Sequence, residues 1–296
     1  PEAPAECPVC HAKSNMFEEV KGELKLAAEQ GHCEAQYSLG QKYTEDKSRH
    51  KDNEQAIFWL KKAALQGHTF ASNALGWTLD RGEAPNYKEA VVWYQIAAES
   101  GMSYAQNNLG WMYRNGNGVA KDYALAFFWY KQAALQGHSD AQNNLADLYE
   151  DGKGVAQNKT LAAFWYLKSA QQGNRHAQFQ IAWDYNAGEG VDQDYKQAMY
   201  WYLKAAAQGS VGAYVNIGYM YKHGQGVEKD YQAAFEWFTK AAECNDATAW
   251  YNLAIMYHYG EGRPVDLRQA LDLYRKVQSS GTRDVSQEIR ETEDLL

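Results

Sequence analysis

Apolar residues recur along the chain with the spacing of amphipathic helices, and the same arrangement returns about every 36 residues. Ala105, Leu109 and Tyr113 follow one another at intervals of four, so they fall on one face of a helix. The stretch from Ala126 to Ala134 has a second apolar stripe of the same kind. Each repeat is therefore predicted to contain two helices.

Polar residues mark where the second helix of each repeat begins. An Asp or Asn precedes each of these helices and can accept hydrogen bonds from backbone N–H groups that lack a partner inside the helix. The residues in this position are Asp52, Asn86, Asp122, Asn158, Asp194, Asp230 and Asp266. They predict the second helices independently of the apolar pattern.

A glycine-rich segment separates the two helices of a repeat. The sequence GNGV, beginning at Gly116, resembles a phosphate-binding loop, but GKGV, GEGV, GQGV and GEGR follow at the same place in later repeats. A phosphate loop is expected once, after a strand. Five copies between helices predict turns in which glycine adopts positive φ angles.

The repetition extends over nearly the whole sequence and predicts an all-α fold. Glycine (once Asn) ends each repeat's second helix, and a tryptophan recurs in phase inside that helix from Trp59 to Trp237. We expect a tail over 1–15, an N-terminal capping helix over 16–30, seven repeats over 31–282 and a C-terminal capping helix over 283–296.

The unit read in residues 105–137, A-x3-LG-x2-Y-x2-G-x-GV-x2-D-Y-x2-A-x2-WY-x-KAA-x-QG, resembles the Sel-1-like repeat, a relative of the tetratricopeptide repeat. The resemblance implies a right-handed α/α superhelix of about seven helix-turn-helix repeats. It also implies an adaptor, assembly scaffold, receptor or inhibitor that binds another protein, and a periplasmic or secreted bacterial location. Fold resemblance alone names no partner.

Residues that differ between repeats are the candidates for binding, because stacking explains the residues that recur. By resemblance to tetratricopeptide repeats, the first helices line the concave surface. The positions expected to be exposed there are occupied by Tyr37, Phe70, Trp77, Tyr104, Asn107, Trp111, Arg114, Phe179, Trp183 and Tyr219. Large aromatic residues are the usual anchors of protein interfaces. The alternative is that these rings pack on neighbouring helices.

The fourth repeat contributes acidic and amide side chains to the same predicted surface. Asn143, Asp147 and Glu150, with Asp140 and Asp151, fall at its exposed positions. Acidic groups beside tryptophans favour a basic or mixed peptide with apolar anchors. A solvated face without a partner is the alternative.

Composition and charge exclude several classes of partner. The formal net charge is −8, and the basic residues are scattered, so no nucleic-acid footprint is present. No apolar run is long enough to span a membrane. We therefore expect a protein or peptide partner; the sequence does not indicate the oligomeric state.

One motif outside the repeats could carry chemistry. Cys7, Cys10 and His11 form CPVCH, which satisfies the pattern for c-type haem attachment. A zinc site completed by His32 or Cys33, a disulfide and an inert tail are the alternatives. Cys33 could also pair with one of the N-terminal cysteines.

The sequence contains no HExxH motif, nucleophile elbow or Ser, His and Asp constellation. The leading hypothesis is therefore a non-catalytic interaction scaffold that needs no cofactor. The alternative is a haem or metal-binding redox protein that uses CPVCH.

Overall fold

The computed structural model describes residues 22–45, 53–82 and 84–296, and these residues form sixteen α-helices and no β-strand. Helix α1 includes residues 22–29. The remaining helices are α2 Cys33–Glu45, α3 Asn53–Leu65, α4 Thr69–Arg81, α5 Tyr87–Glu99, α6 Ser103–Asn115, α7 Tyr123–Leu135, α8 Ser139–Asp151, α9 Lys159–Gln171, α10 Arg175–Ala187, α11 Tyr195–Ala207, α12 Val211–His223, α13 Tyr231–Glu243, α14 Ala247–Tyr259, α15 Leu267–Ser280 and α16 Ser286–Asp294.

From α2 to α15 the helices alternate between the first and second helix of a repeat, which we call A and B helices. Repeat 1 consists of α2 and α3, and repeat 7 of α14 and α15. The all-α prediction and the helix pairs are confirmed. Among the helices that the structure describes, none combines the length and apolar character needed to cross a bilayer.

The chain divides into two compact units. The N-terminal unit runs to Ala141 and includes Lys153–Val155, and the C-terminal unit comprises Gln142–Gly152 and Ala156–Leu296. Each unit has its own buried core of alanine, leucine and aromatic side chains. Tyr94 and Leu109 are fully buried in the first, and Ile181 and Tyr202 in the second.

The predicted caps begin the B helices wherever the structure describes them. Asp122 accepts hydrogen bonds from the backbone N–H groups of Ala124 and Leu125, at 2.8 and 3.0 Å. Asn86, Asn158, Asp194, Asp230 and Asp266 cap α5, α9, α11, α13 and α15 in the same way. Asp52 lies outside the described residues.

The glycine-rich loops are turns, as predicted, and they also contact the preceding repeat. Gly116 and Gly118 have φ angles of +77° and +73°. A Cβ atom on Gly118 would lie 2.3 Å from the carbonyl oxygen of Tyr87, at the beginning of α5. The second glycine therefore recurs for two reasons: its φ angle and the close approach of two backbones.

Buried glutamines link successive helices in a way that the sequence analysis missed. Gln178 on α10 donates to the carbonyl oxygen of Ala170, at the end of the preceding B helix, and accepts from Gln208 at the end of its own B helix. The distances are 3.2 and 2.8 Å. Gln36 and Gln106 make the same two bonds in repeats 1 and 3.

Gln178→Ala is expected to lower the free energy of unfolding by about 2 kcal/mol, because it removes a buried donor and leaves the carbonyl of Ala170 without it. Gln208→Ala is the matched control. Its side chain donates the second bond and another to the carbonyl oxygen of Gly173 at 2.9 Å, both from an exposed position where water can replace the lost donor, so we expect about 0.5–1 kcal/mol. Urea denaturation followed by circular dichroism measures both, and equal losses would contradict this account.

Candidate functional site

Five aromatic side chains gather on the A helices of the N-terminal unit, and we call them the N-terminal aromatic surface. They are Tyr37 on α2, Phe70 and Trp77 on α4, and Tyr104 and Trp111 on α6. Trp77 and Trp111 are 40% and 42% exposed, and Phe70 and Tyr104 are more exposed still. The structure leaves these four rings open to solvent, as the sequence analysis expected.

Two cavities of about 230 Å³ each flank the indole of Trp77. One is lined by Tyr37, Gln41, Thr44, Phe70, Asn73, Ala74, Thr78 and Met102 as well as Trp77. The other is lined by Thr44, Asn53, Thr78 and Arg81 beside the same indole. A concave site with aromatic walls and a few polar groups is typical of a binding site.

Hydrogen bonds and ring contacts hold the wall formed by Tyr37 in place. Gln41 donates to the Tyr37 hydroxyl at 2.6 Å, and the His68 ring centroid lies 4.5 Å from that of Tyr37. His68 itself caps α4, since its Nδ1 accepts from the backbone N–H of Ala71. His68 is thus a helix-junction residue. This wall is preorganised, which lowers the entropic cost of binding.

Charged and polar side chains also lie beside Trp77. The Arg81 guanidinium is 5.5 Å from the Trp77 ring centroid and pairs with Asp80 at 3.6 Å. Tyr94 donates its hydroxyl hydrogen to Asp80 at 2.7 Å, and burial raises the pKa of the Asp80 carboxyl. The surface therefore presents one cation beside the exposed indole.

Tyr104 and Trp111 extend this surface along α6. Tyr104 contacts His138 edge to face, with ring centroids 4.6 Å apart. Burial lowers the pKa of His138, so the ring is neutral at pH 7. Asn107 and Arg114, which were expected beside these rings, are half-buried.

The C-terminal unit exposes fewer of the predicted residues. Trp183 on α10 is more than a third exposed. Phe179 packs against Tyr202, with ring centroids 5.7 Å apart, and Tyr219 packs against Phe238 at 5.5 Å. Packing within the repeats therefore explains much of the burial of Phe179 and Tyr219.

The prediction that Asn143 is exposed is wrong. Its side chain is 8% exposed, because His176 of the next repeat covers it and contacts its Oδ1 at 3.1 Å. Asp147 and Glu150 are half-buried, and both accept a hydrogen bond from the Tyr166 hydroxyl, at 2.8 and 2.6 Å. The acidic patch is thus partly engaged within its own repeat.

Cys7, Cys10 and His11 lie outside the described residues. Cys33 is half-buried and directs its thiol at the carbonyl oxygen of Ala63, at 3.6 Å, while Cys244 is exposed. Within the described ranges, no group of three or more His, Cys, Asp or Glu side chains is arranged to hold a metal ion.

Sequence reasoning missed a second set of exposed aromatics, on the B helices. Phe58 and Phe128 in the N-terminal unit, and Phe164 and Tyr200 in the C-terminal unit, are each about half exposed. Each ring stands edge-on against the tryptophan that follows it, with centroids 4.9 to 5.1 Å apart. The signal was a Phe or Tyr directly before the tryptophan in four of the six B helices that contain one; this recurrence indicates a structural role.

A buried carboxyl group was also missed. Asp184 on α10 is 5% exposed. It occupies the position that Met112, Leu148, Met220 and Met256 hold in other repeats. The sequence signal was an acidic residue at a position that is apolar in the two repeats on either side of it, with Met112 and Leu148 before it and Met220 and Met256 after it.

Comparison with known proteins agrees with this architecture. A family model described as the Sel1 repeat matches seven consecutive segments, residues 33–68, 69–102, 103–138, 139–174, 175–210, 211–246 and 247–276. A Sel1 repeat protein from Oxalobacter formigenes is 33% identical, with a TM-score of 0.67, over 72% of this chain and 86% of that one.

A second similar structure is a protective antigen present in uropathogenic Escherichia coli strains. It is 36% identical, with a TM-score of 0.82, over 88% of this chain. The match spans 56% of the antigen's length. Solenoids of this kind are generally non-catalytic and typically serve as protein-interaction scaffolds. The chain belongs to the Sel1 repeat family.

Proposed function

We propose that this protein is a non-catalytic scaffold that holds a protein or peptide partner on the N-terminal aromatic surface. The exposed indoles of Trp77 and Trp111, on A helices of successive repeats, carry the proposal. Nothing in the repeat requires tryptophan there, since Asp147 and Ile255 occupy the same position elsewhere. Exposed aromatic clusters beside cavities are the usual centres of protein interfaces.

The geometry around Trp77 defines what the partner should present. The two cavities lined by the indole each accept a side chain of moderate size. The Arg81 guanidinium beside the ring adds an attraction for a carboxylate or a backbone carbonyl. An extended segment that places two apolar side chains next to Trp77 fits this arrangement.

Trp77→Ala with Trp111→Ala is expected to weaken partner binding at least thirtyfold, because interface tryptophans commonly contribute about 2 kcal/mol or more each. The partner is first captured from an extract of the source cells with immobilised wild-type protein and identified by mass spectrometry. The dissociation constant is then measured with both proteins purified.

Phe58→Ala with Phe128→Ala is the matched control, because it removes two similarly exposed rings from the B helices of the same unit. This double variant should bind as wild type does, and all three proteins should have equal helicity. A partner that binds the tryptophan variant normally and the phenylalanine variant weakly would place the interface on the B helices and refute the proposal.

We also propose a periplasmic or secreted location. The proposal is supported by the similar Escherichia coli protein, which is described as a protective antigen. Fractionation of the source cells tests this, and recovery from the cytoplasm alone would reject it.

The sequence CPVCH supports an alternative function, attachment of haem c through Cys7 and Cys10 with His11 as an axial ligand. Visible absorbance and intact mass separate the two proposals. A Soret band with a haem-sized mass increase would establish the redox alternative. A colourless chain of unmodified mass would reject it.

A further inference from the structure

Asp184 is a buried carboxyl group at a position that repeats 3, 4, 6 and 7 fill with apolar side chains, while repeats 1 and 2 have Lys42 and Thr78 there. Met112, Leu148, Met220 and Met256 are at most 1% exposed there, and Thr78 is also buried. Burying a carboxyl group without an ionic partner is costly. A role in binding would explain why this one repeat carries it.

Charged groups from three structural elements surround Asp184. Glu150 on α8, Lys159 at the beginning of α9 and Glu189 in the loop after α10 all act on its charge. The Lys159 ammonium is already paired with Glu189. Three carboxyl groups therefore share one cation. Burial, Glu150 and Glu189 together raise the pKa of Asp184 to about 8.

Two buried polar atoms in the same repeat lack a hydrogen-bond partner within the described part of the chain. They are the hydroxyl oxygen of Tyr202 and the Oδ1 atom of Asn186. Tyr202 is fully buried, and its pKa is raised by burial and by the charge of Asp184. Leaving such atoms unsatisfied costs about 1–3 kcal/mol each.

Other repeats show how this tyrosine is normally satisfied. Tyr94 donates to Asp80 at 2.7 Å, and Tyr166 donates to Glu150 at 2.6 Å. Repeat 5 has Asn186 at the position of Asp80 and Glu150. The acceptor carboxylate is thus replaced by an amide, and a new carboxyl, Asp184, lies two residues earlier.

We propose that Asp184 and Glu189 receive a cationic side chain, lysine or arginine, from a protein partner, with the exposed indole of the preceding residue, Trp183, at the entrance. Ammonium and guanidinium groups only donate hydrogen bonds, and carboxylate and amide oxygens are their natural acceptors. An indole face adds attraction for the cation and its methylene stem. This inference rests on the proposed function, because it assumes that the scaffold binds a protein.

Cation binding here is coupled to the release of a proton. The neutral Asp184 carboxyl loses its proton to solvent as the cation arrives, so charge balance is kept. The resulting carboxylate accepts from the cation and provides an acceptor for the buried Tyr202 hydroxyl.

The test uses acetyl-Gly-Arg-Gly-amide and its citrulline analogue, which has nearly the same shape and no charge. Binding is followed by NMR through the Trp183 indole and the ¹³Cγ signal of Asp184. The arginine peptide is expected to bind the wild type at least tenfold more tightly than the citrulline peptide. As the pH is raised towards 8, the affinity of the arginine peptide should increase roughly tenfold per pH unit, because one proton is released on binding.

Asp184→Met installs the residue of repeats 3, 6 and 7, and should lose at least tenfold in affinity together with the pH dependence. Asp184→Asn keeps the shape and should also lose the pH dependence. Glu228→Gln removes the same charge from an exposed loop position and should bind as wild type.

Equal binding of the two peptides, or unchanged binding by Asp184→Met, would overturn the inference. Neither result would contradict the proposed function, which is tested by the binding of a purified partner to the variant with Trp77→Ala and Trp111→Ala. Conversely, a partner whose binding does not depend on those tryptophans would contradict the proposed function and would not contradict the cation site.

Discussion

Gly118→Ala is expected to lower the free energy of unfolding by about 4 kcal/mol. The new Cβ atom would lie 2.3 Å from the Tyr87 carbonyl oxygen and 2.9 Å from the Lys88 nitrogen. Both are backbone atoms, so no change of side-chain rotamer can move them away from the new Cβ. The positive φ angle adds about 1–2 kcal/mol of strain for an alanine, and the forced separation of the two segments accounts for the rest. Urea denaturation monitored by circular dichroism measures the loss.

Gly101→Ala is the control for the backbone angle alone. Gly101 has a φ angle of +88°, and a Cβ atom there would meet nothing within 4 Å. Its substitution should cost about 1–2 kcal/mol. If both variants lost the same stability, the contact between the loop and α5 would carry no energy and the argument for the recurring second glycine would be wrong.

The second large effect is a stability difference between the wild type and Asp184→Met that grows with pH. The folded-state pKa of Asp184 is raised from 3.8 to about 8. Between these values the folded protein holds a proton that the unfolded chain has released. The stabilising contribution is therefore complete below about pH 4 and is lost as the pH rises through 8, at about 1.4 kcal/mol per unit.

Between pH 5 and pH 8 the wild type should lose about 3.5 kcal/mol relative to Asp184→Met, because the slope flattens as the pH approaches 8. Urea midpoints of both proteins at pH 5, 6, 7 and 8 give the difference directly, since the shared titrating groups largely cancel. Asp184→Asn should follow Asp184→Met in its pH dependence. Parallel curves for the wild type and Asp184→Met would mean that Asp184 titrates normally in the folded protein.

The sequence was sufficient for the repeated helices because local rules fix them. Asp122 caps α7 through its own side chain, and Gly116 turns the chain through its own φ angle. Neither needs knowledge of distant residues. The all-α solenoid followed from seven repetitions of these signals.

Exposure was harder to predict, because it depends on which side chain the next repeat supplies. Asn143 was placed on an open surface by its position in the helix, but His176 covers it. Trp77 and Trp111, at another position of the same helical pattern, remain open. The positions of a repeat can be aligned from sequence, whereas the cover over one position depends on a residue about 33 positions later.

Asp184 was missed for a related reason. The comparison of repeats considered exposed positions at which the residue differs between repeats. Asp184 is such a difference at a buried position. A carboxyl group at a position that is apolar in repeats 3, 4, 6 and 7 is a sequence signal. Its neighbours Glu150 and Lys159 come from other helices, so only the structure brings the charges together.

The glutamine bonds have a consequence for how such a chain can change in length. Gln178 joins the end of one repeat to the body of the next, and the same pair of bonds occurs around Gln36 and Gln106. Each junction uses only adjacent repeats. Duplication or loss of one whole repeat would therefore recreate a junction of the same kind, and the gene can lengthen or shorten its product in steps of about 36 residues without inventing a new contact.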